Sequence, residues 1–515
     1  MAPMYNISSV EVVNGIVWVG SDVSGLARLS SQASAQQLDI SVSGEFNTNA
    51  KENSNTNTNT HIFTDPDNDP WMWQYYIGGR YLPCNSIISL QTYQYSTSDS
   101  SVLAVTTAGI AFIHMVPWTL PEKAKAMQSF QSPRHDRHGL STAVGLTSFG
   151  DVSQYNKQVQ DNDGLWTAMG AIGTVYRYIV DNEEEARALA WYAFTGMERL
   201  CKLTPAYPKY AARTFCKMSD GDSGCPTSYD EVEPNENNHW YNGTEDGWVY
   251  KGDTSSDSIS GHLAIYPMIY DHIAQSDSER ERVLTLIEGL TGGIIENDFF
   301  LIDPETDKPT KWGYWAPQWL NDQPEYYSER GGNSLEILAW CASAYSITGK
   351  VLYKDTFWRL VNDHGYDKNV LNVKIDSCVD ENHSDTELIM MAFHSMFYSL
   401  WRLDEHSTDV VMQQRYKDVK EMCEPIVPGL RRTWQLLKGE KSPLWYGIYA
   451  GTAKQSWQVD QEDRDGSTWS LRHWAIDMIN WSILGSQRID LDISSHPTWF
   501  HVRMNPGQVG ETLEP

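Results

Sequence analysis

The fold is decided by residues 252–297, which read GDTSSDSISGHLAIYPMIYDHIAQSDSERERVLTLIEGLTGGIIEN. A polar cluster opens the stretch, a largely apolar segment over 257–275 follows it, and an amphipathic segment over 277–297 comes last. A helix that is apolar on most sides is buried, whereas an amphipathic helix exposes one side to solvent. The stretch therefore predicts a helical hairpin with one inner and one outer helix.

The same pairing recurs along the chain. Polar clusters precede apolar segments, and more amphipathic segments usually follow. The further pairs lie at 164–181 and 183–203, 333–347 and 351–364, 384–403 and 408–438, and 444–455 and 468–484. With one more outer helix over 121–131, the series predicts a mainly α fold. We expect an (α/α)5–6 toroid over residues 116–490, followed by a tail over 491–515.

Residues 1–115 favour β structure instead. Short β-rich runs lie at 15–20 and 101–105. Residues 47–60 between them are rich in Asn, Thr and Ser and carry too little apolar surface to fold, which predicts a disordered loop. The stretch 14–29, with WVG and GLARL, resembles the propeller repeat of sensor proteins, and the later run is a degenerate second copy. Because two blades cannot close a propeller, the resemblance implies a small β cap.

The chain of 515 residues has 39 basic and 67 acidic residues, a formal net charge of −28. A field of that sign repels phosphate backbones and anionic lipid, so we expect no nucleic-acid partner and no membrane partner. No run of about 18 apolar residues is present that could cross a bilayer. The N-terminus lacks the features of a signal peptide, which predicts a cytoplasmic protein if the chain is complete and a secreted one if a signal has been removed. The sequence leaves the oligomeric state open.

Seven cysteines are present, and none has the CxxC spacing of a zinc site or a thioredoxin-like motif. Cys216 and Cys225 flank an acidic loop and could be bridged, but reduced thiols are the expectation. The aspartates within 65–69 alternate as calcium ligands do, yet the glycine and distal glutamate of an EF-hand loop are missing. We therefore expect no cofactor and no metal, with a structural divalent cation left open.

Aromatic residues are abundant, with 21 Trp and 27 Tyr. Large helical cores need large side chains, which explains part of this content. Many of the tryptophans, however, lie in polar stretches, where an indole ring can stack on the C–H face of a sugar. A saccharide or another polyhydroxylated small molecule is therefore the expected substrate. The aromatic candidates for binding it are Trp166, Tyr266, Trp312, Trp315 and Tyr327.

The polar clusters before the inner helices should gather at one mouth of the toroid. Some have an ordinary explanation as helix starts, with one Asp of the cluster at 161–163 as a cap and Glu336 in a capping box with Asn333. The polar residues around Asp257 and His383 continue into helices that should be buried, where an unpaired polar group costs about 1–3 kcal/mol. The candidate catalytic residues are Asp163, Asp257, His262, Glu336, His383 and Asp385.

Three more polar side chains are candidates for substrate binding. Arg330 has no evident role at a helix start, and Arg137 lies in a dense charged loop that could clamp a carboxylate. Asn382 with His383, near an Arg and a Tyr, is the set with which a β-elimination lyase neutralises a uronate and removes its C5 proton. Carboxylates from different inner helices could instead act as the pair of a glycosidase.

This series of hairpins with a polar mouth resembles the (α/α)-toroid carbohydrate-active enzymes, which are glycoside hydrolases, polysaccharide lyases and uronyl epimerases. The resemblance covers residues 119–485 and implies cleavage of glycosidic bonds in a poly- or oligosaccharide. Hydrolysis by a carboxylate pair is favoured over elimination, because acids outnumber bases at the mouth and the net charge disfavours polyanions.

Three alternatives stay open. The first is a polysaccharide lyase or uronyl epimerase that uses His383, Asn382, Arg330 and a Tyr. The second is an intracellular small-molecule lyase, isomerase or cyclase, which the missing signal peptide favours. The third is a glycan-binding protein whose aromatic rim holds a sugar without turnover.

Overall fold

The structure is a computed structural model. It describes residues 6–29, 73–76, 81–96, 99–114, 119–147, 153–232, 239–373, 384–437, 447–450 and 512–513. The chain divides into two compact units, of which the first contains Met1–Thr119 and the second begins at Leu120. The predicted loop over 47–60 and the predicted helix over 468–484 lie outside the described residues.

The first unit contains two antiparallel sheets. The four-stranded sheet consists of β1 (Ile7–Val13), β2 (Ile16–Ser21), β3 (Leu26–Leu29) and β4 (Trp73–Tyr76), in that order. The three-stranded sheet consists of β5 (Ile87–Ser96), β6 (Asp99–Thr106) and β7 (Gly109–Ile113). Side chains of both sheets share one apolar core, with Trp18 and Leu26 from the first sheet and Leu90 and Val102 from the second.

The second unit is helical, and the prediction of a mainly α fold is confirmed. Its helices are α1 (Leu120–Arg134), α2 (Asp163–Asp181), α3 (Glu184–Lys202), α4 (Ser256–Met268), α5 (Asp277–Glu296), α6 (Pro317–Leu320), α7 (Arg330–Thr348), α8 (Val351–His364), α9 (Tyr366–Asn369), α10 (Ser384–Trp401), α11 (Val410–Cys423) and α12 (Val427–Leu437). A π-helical turn, Ile269–Ile273, continues α4. None of the helices in the described ranges is long and apolar enough to cross a membrane.

Short strands lie in the loops of this unit. They are β8 (Asp136–Arg137), β9 (Leu140–Ser141), β10 (Val144–Leu146), β11 (Tyr155–Lys157), β12 (Thr214–Lys217), β13 (Trp240–Asn242), β14 (Trp248–Lys251), β15 (Phe300–Asp303), β16 (Lys308–Tyr314) and β17 (Thr512–Leu513). The pairs β8–β9 and β15–β16 are hairpins, β12 and β13 flank β14, and β10 lies between β11 and β17.

The helices form inner and outer layers, as the hydrophobic pattern predicted. The inner helices of the described ranges are α2, α4, α7 and α10, and the helices that follow them are α3, α5, α8 and α11. Helices α4, α7 and α10 are buried on most sides, whereas α2 is buried mainly in its first half and exposes Ile179 and Val180 near its end. Helix α4 packs against α2, α7 and α10, and α7 packs against α10. The predicted closing pair falls almost wholly outside the described residues, so the number of pairs in the ring stays a prediction.

The inner helices run parallel, which brings their starts to one end. Asn162, directly before α2, contacts Asp257 in the first turn of α4. Ser260 in α4 contacts Glu336 in the second turn of α7. At the opposite end, the Tyr176 hydroxyl of α2 lies 3.0 Å from the imidazole of His394 in α10. The end at which α2, α4 and α7 begin is the mouth that the polar clusters predicted.

Candidate active site

Asp257 is the only residue of α4 that is not buried. Its carboxylate accepts a hydrogen bond from the side-chain amide of Asn162 at 2.8 Å. Ser255 is the N-cap of α4, so Asp257 lies in the first turn, where a negative charge is favourable. The contact joins the starts of α2 and α4 and places a half-buried carboxylate at the mouth.

Glu336 is fully buried in α7. One carboxyl oxygen accepts a hydrogen bond from the Ser260 hydroxyl at 2.7 Å, and the other accepts from the indole N–H of Trp315 at 2.6 Å. The predicted capping box is wrong, because α7 begins at Arg330, three residues before the predicted cap. Asn333 instead donates to the carbonyl of Tyr314 at 2.8 Å. Glu336 is therefore a buried acid inside the helix, not part of a helix start.

The two carboxyl groups have opposite environments. Burial raises the pKa of Glu336 to about 8, the hydrogen bonds from Trp315 and Ser260 oppose this, and the charge of Asp257 adds to it. Asp257 and Ser260 are three residues apart on α4, which is about 4.5 Å along the helix axis. A buried carboxyl with a raised pKa therefore contacts α4 at Ser260, one helical turn beyond the part-buried Asp257.

Asp163 and Arg137 form a buried ion pair. Their side chains are 0% and 1% exposed. Asp163 also accepts from the Thr214 hydroxyl at 2.5 Å, and Arg137 donates to the carbonyl of Phe215. Burial raises the pKa of Asp163, and the Arg137 charge opposes that shift. The pair ties α2 to β8 and β12, and neither side chain has access to a substrate in this structure.

His262 and Tyr266 lie in the core of α4, both 0% exposed. Nδ1 of His262 and the Tyr266 hydroxyl are 2.5 Å apart, and among the described residues Nε2 has no hydrogen-bond partner. Nε2 faces Gly164 of α2. Burial lowers the pKa of His262 to about 3, so the ring is neutral at neutral pH. The structure gives both residues packing positions away from the mouth surface.

Arg330, predicted to bind substrate, has a structural partner. Its Nε donates to the carbonyl of Leu320 at 2.6 Å, and a terminal nitrogen donates to the carbonyl of Asn321 at 3.0 Å. These carbonyls end α6, so Arg330 satisfies a helix C-terminus. Its guanidinium also lies 4.5 Å from the ring centre of Tyr327, which is 64% exposed.

The β15–β16 hairpin is fixed to the segment that leads into α4. The backbone N–H of Lys311 donates to the Asp253 carboxylate at 2.7 Å, and the N–H of Asp253 donates to Asp303 at 2.8 Å. Trp312, the neighbour of Lys311, is 43% exposed. Trp315 is buried against Trp340. Of the two predicted aromatic contacts on this hairpin, Trp312 faces solvent and Trp315 serves as a donor to the buried acid.

The remaining candidates lie at the same end or outside the described residues. Trp166 is half-buried in the first turn of α2. Asp385 lies in the first turn of α10, and its side chain is not among those described. Asn382 and His383 fall outside the described residues. Their predicted roles stay predictions.

Cys216 and Cys225 form a disulfide in the insertion between α3 and α4. The prediction of reduced thiols is wrong for this pair, because the fold brings the two ends of the acidic loop together. Within the described ranges no group of three or more His, Cys, Asp and Glu side chains is arranged to hold a metal.

Sequence reasoning missed Ser260 and Asn162 as members of the site. Both lie next to predicted candidates, but a serine and an asparagine at helix starts are ordinary capping residues. The signal that could have singled out Ser260 is its position one turn beyond Asp257, on the same face of α4.

No family model and no curated protein matches the chain. Among solved structures, a family 76 glycoside hydrolase from a bovine Bacteroides thetaiotaomicron strain aligns with 75% of this chain and 84% of its own. The aligned residues are 11% identical and the TM-score is 0.26. A TM-score this low does not establish a shared fold.

Proposed function

We propose that the protein hydrolyses glycosidic bonds in an oligo- or polysaccharide, with Asp257 and Glu336 as its carboxyl pair. The observation that carries the proposal is the contrast between the two groups. Glycoside hydrolysis needs one carboxyl that holds a proton and one that is ionised, on the two sides of the scissile bond. Burial raises the pKa of Glu336, whereas Asp257 lies part-buried at the mouth, and a raised pKa is the usual mark of the acid in such a pair.

Each group has a definite role in this proposal. Asp257, at the mouth and oriented by Asn162, acts as the base or nucleophile. Glu336 supplies the proton, because its raised pKa keeps it protonated at neutral pH. Ser260 lies in contact with Glu336 and is itself buried. Ser260 donates to Glu336 in this structure; in the proposed step the hydroxyl turns to accept the proton of Glu336 as it gives its own to the departing sugar oxygen, which requires substrate binding to open a path to this buried hydroxyl.

The contacts of Arg330 argue against a uronate-specific lyase. Trp312 and Tyr327 are exposed aromatic rings, and each has a cation, Lys311 or Arg330, over its ring. Arg330 is occupied by the carbonyls that end α6, which removes one of the groups that a uronate-specific lyase would use. Hydrolysis therefore remains favoured over elimination.

The test is a screen of the full-length protein against neutral and uronate-containing polysaccharides. New reducing ends without the ultraviolet absorbance of unsaturated uronates support hydrolysis. That absorbance would support elimination instead. Binding to a glycan with no release of reducing ends would show a binding protein and end the proposal.

A second measurement tests the acid role of Glu336. A poor leaving group needs protonation, whereas a nitrophenolate departs without it. Glu336→Gln and Ser260→Ala are expected to slow hydrolysis of alkyl glycosides far more than of nitrophenyl glycosides. Equal effects on both substrates would remove the acid role from Glu336.

A further inference from the structure

Two cavities lie along the outer helix α3, and Tyr192 lines both of them. Tyr192 is 45% exposed. On one side of it, a pocket of about 360 Å³ is lined by His138, Thr195, Glu198, Arg199, Lys202 and Glu245. On the other side, a narrower cleft is lined by Gln128, Ser141, Thr167 and Thr174, among others. The pocket and the cleft together are named the α3 groove here.

The α3 groove is elongated. Its lining follows α3 from Leu189 in the cleft to Lys202 in the pocket. That length of helix rises about 20 Å. A site this long fits a chain-like ligand better than a single small molecule.

Tyr192 is fixed in place without being covered. Its hydroxyl donates to the carboxylate of Asp136 at 3.2 Å. Asp136 also accepts from the backbone N–H of Gly139 at 2.9 Å, which fixes that carboxylate in the β8–β9 turn. An aromatic ring that is held in one orientation and left exposed loses little conformational entropy when a ligand stacks on it.

The wall of the pocket is also rigid. His138 has a left-handed backbone, with φ of 55°, in the turn between β8 and β9. Its Nε2 lies 2.6 Å from the carboxylate of Asp220. The centres of the His138 and Trp248 rings are 4.8 Å apart, in an edge-to-face arrangement. The guanidinium of Arg199 lies 4.2 Å from the centre of the Trp248 ring. Residues in uncommon backbone conformations cluster at binding sites, and His138 is such a residue.

The charges in the pocket balance. Arg199 pairs with Glu245 at 2.6 Å, and Lys202 pairs with Glu198 at 2.9 Å. In a chain with a net charge of −28, this pocket carries no excess of either sign. Paired charges still offer spare N–H donors and carboxylate lone pairs, which suit the hydroxyl groups of a neutral ligand.

We infer that the α3 groove binds a neutral polysaccharide chain, with one sugar ring stacked on Tyr192. An aromatic platform flanked by carboxylate, guanidinium and hydroxyl groups matches the apolar face and polar edge of a sugar. An extended peptide would need a free sheet edge or a row of apolar pockets, and the pocket lining is polar apart from Tyr192. The inference goes beyond the proposed function, because binding here needs no turnover.

The experiment is affinity electrophoresis of the full chain in gels that contain a soluble β-glucan, xylan or mannan, with polygalacturonate as the anionic comparison. We expect retardation by at least one neutral polysaccharide. Tyr192→Ala should weaken it at least tenfold, and Tyr192→Phe, which keeps the ring, should change it by less than about threefold. Tyr93→Ala, at a similarly exposed tyrosine of the first unit, is the control and should have no effect.

Tyr192→Ala should also leave the hydrolysis of short soluble substrates unchanged, which separates this site from the mouth. Four results would overturn the inference. They are no retardation by any neutral polysaccharide, retardation by polygalacturonate alone, equal retardation of Tyr192→Ala and the wild type, and binding of a random peptide pool in place of the glycans.

Discussion

Glu336→Gln should change how the stability of the protein depends on pH. Burial raises the pKa of this carboxyl from its ordinary value of 4.5 to about 8 in the folded protein. Between about pH 4.5 and pH 8, the folded protein therefore keeps a proton on Glu336 that the unfolded chain has lost. The wild type is therefore most stabilised by this group below about pH 4.5, and it loses that stability as the pH rises to about 8.

The size of the effect follows from the shift. One unit of pKa corresponds to about 1.4 kcal/mol, so Glu336 should contribute a loss on the order of 4–5 kcal/mol across this window. Glutamine has no such proton. Its oxygen can accept from Trp315 as Glu336 does, and its amide can donate to the Ser260 hydroxyl, which reverses the direction of the existing Ser260 hydrogen bond.

The assay is the free energy of unfolding from urea titrations between about pH 5 and pH 9. As the pH rises, the free energy of unfolding of Glu336→Gln should increase steadily relative to that of the wild type. Glu281→Gln, at an exposed position of α5, is the matched control and should follow the wild type. Parallel curves for wild type and Glu336→Gln would refute the account of Glu336 as a buried, protonated acid.

Three further variants test the scaffold, each by urea denaturation. Arg137→Met leaves Asp163 buried without its partner and should cost about 3–5 kcal/mol; a loss below about 1 kcal/mol would contradict the buried ion pair. Replacing Cys216 and Cys225 with serine removes a short disulfide loop and should cost about 2–3 kcal/mol, whereas unchanged stability would argue that the bond does not form. Gly261→Ala places a Cβ 2.6 Å from a backbone carbonyl of α2 and should cost about 1–3 kcal/mol, and a neutral result would exclude so close a helix contact.

The helix pairs could be predicted from the sequence because burial leaves a periodic pattern. Helix α8 begins and ends at the predicted residues, 351 and 364. The predicted start of α7 is three residues late, because Asn333 and Glu336 have the spacing of a capping box. A local pattern cannot reveal the actual partners of these two side chains. Asn333 donates to the carbonyl of Tyr314, at the end of β16, and Glu336 accepts from the indole N–H of Trp315, in the loop that follows.

The mouth could be predicted only in part. Asp257 stood out because polar residues continued into a buried helix, and the structure places it at the mouth. Arg137 and Arg330 also looked free in the sequence, yet their partners are a carboxylate 26 residues away and two backbone carbonyls. Pairings between distant segments follow from the fold and leave no periodic trace in the sequence.

The proposed hydrolysis of glycosidic bonds depends on Asp257, at the mouth of the inner helices. Its most direct test is the release of reducing ends by Asp257→Asn, on whichever polysaccharide the wild type cleaves. Loss of the carboxylate should lower kcat by about 10²–10⁴-fold or more, with unchanged helicity and denaturation midpoint. Asp277→Asn, at a fully exposed aspartate of α5, should retain the wild-type rate. An Asp257→Asn variant that cleaves at the wild-type rate would contradict the claim.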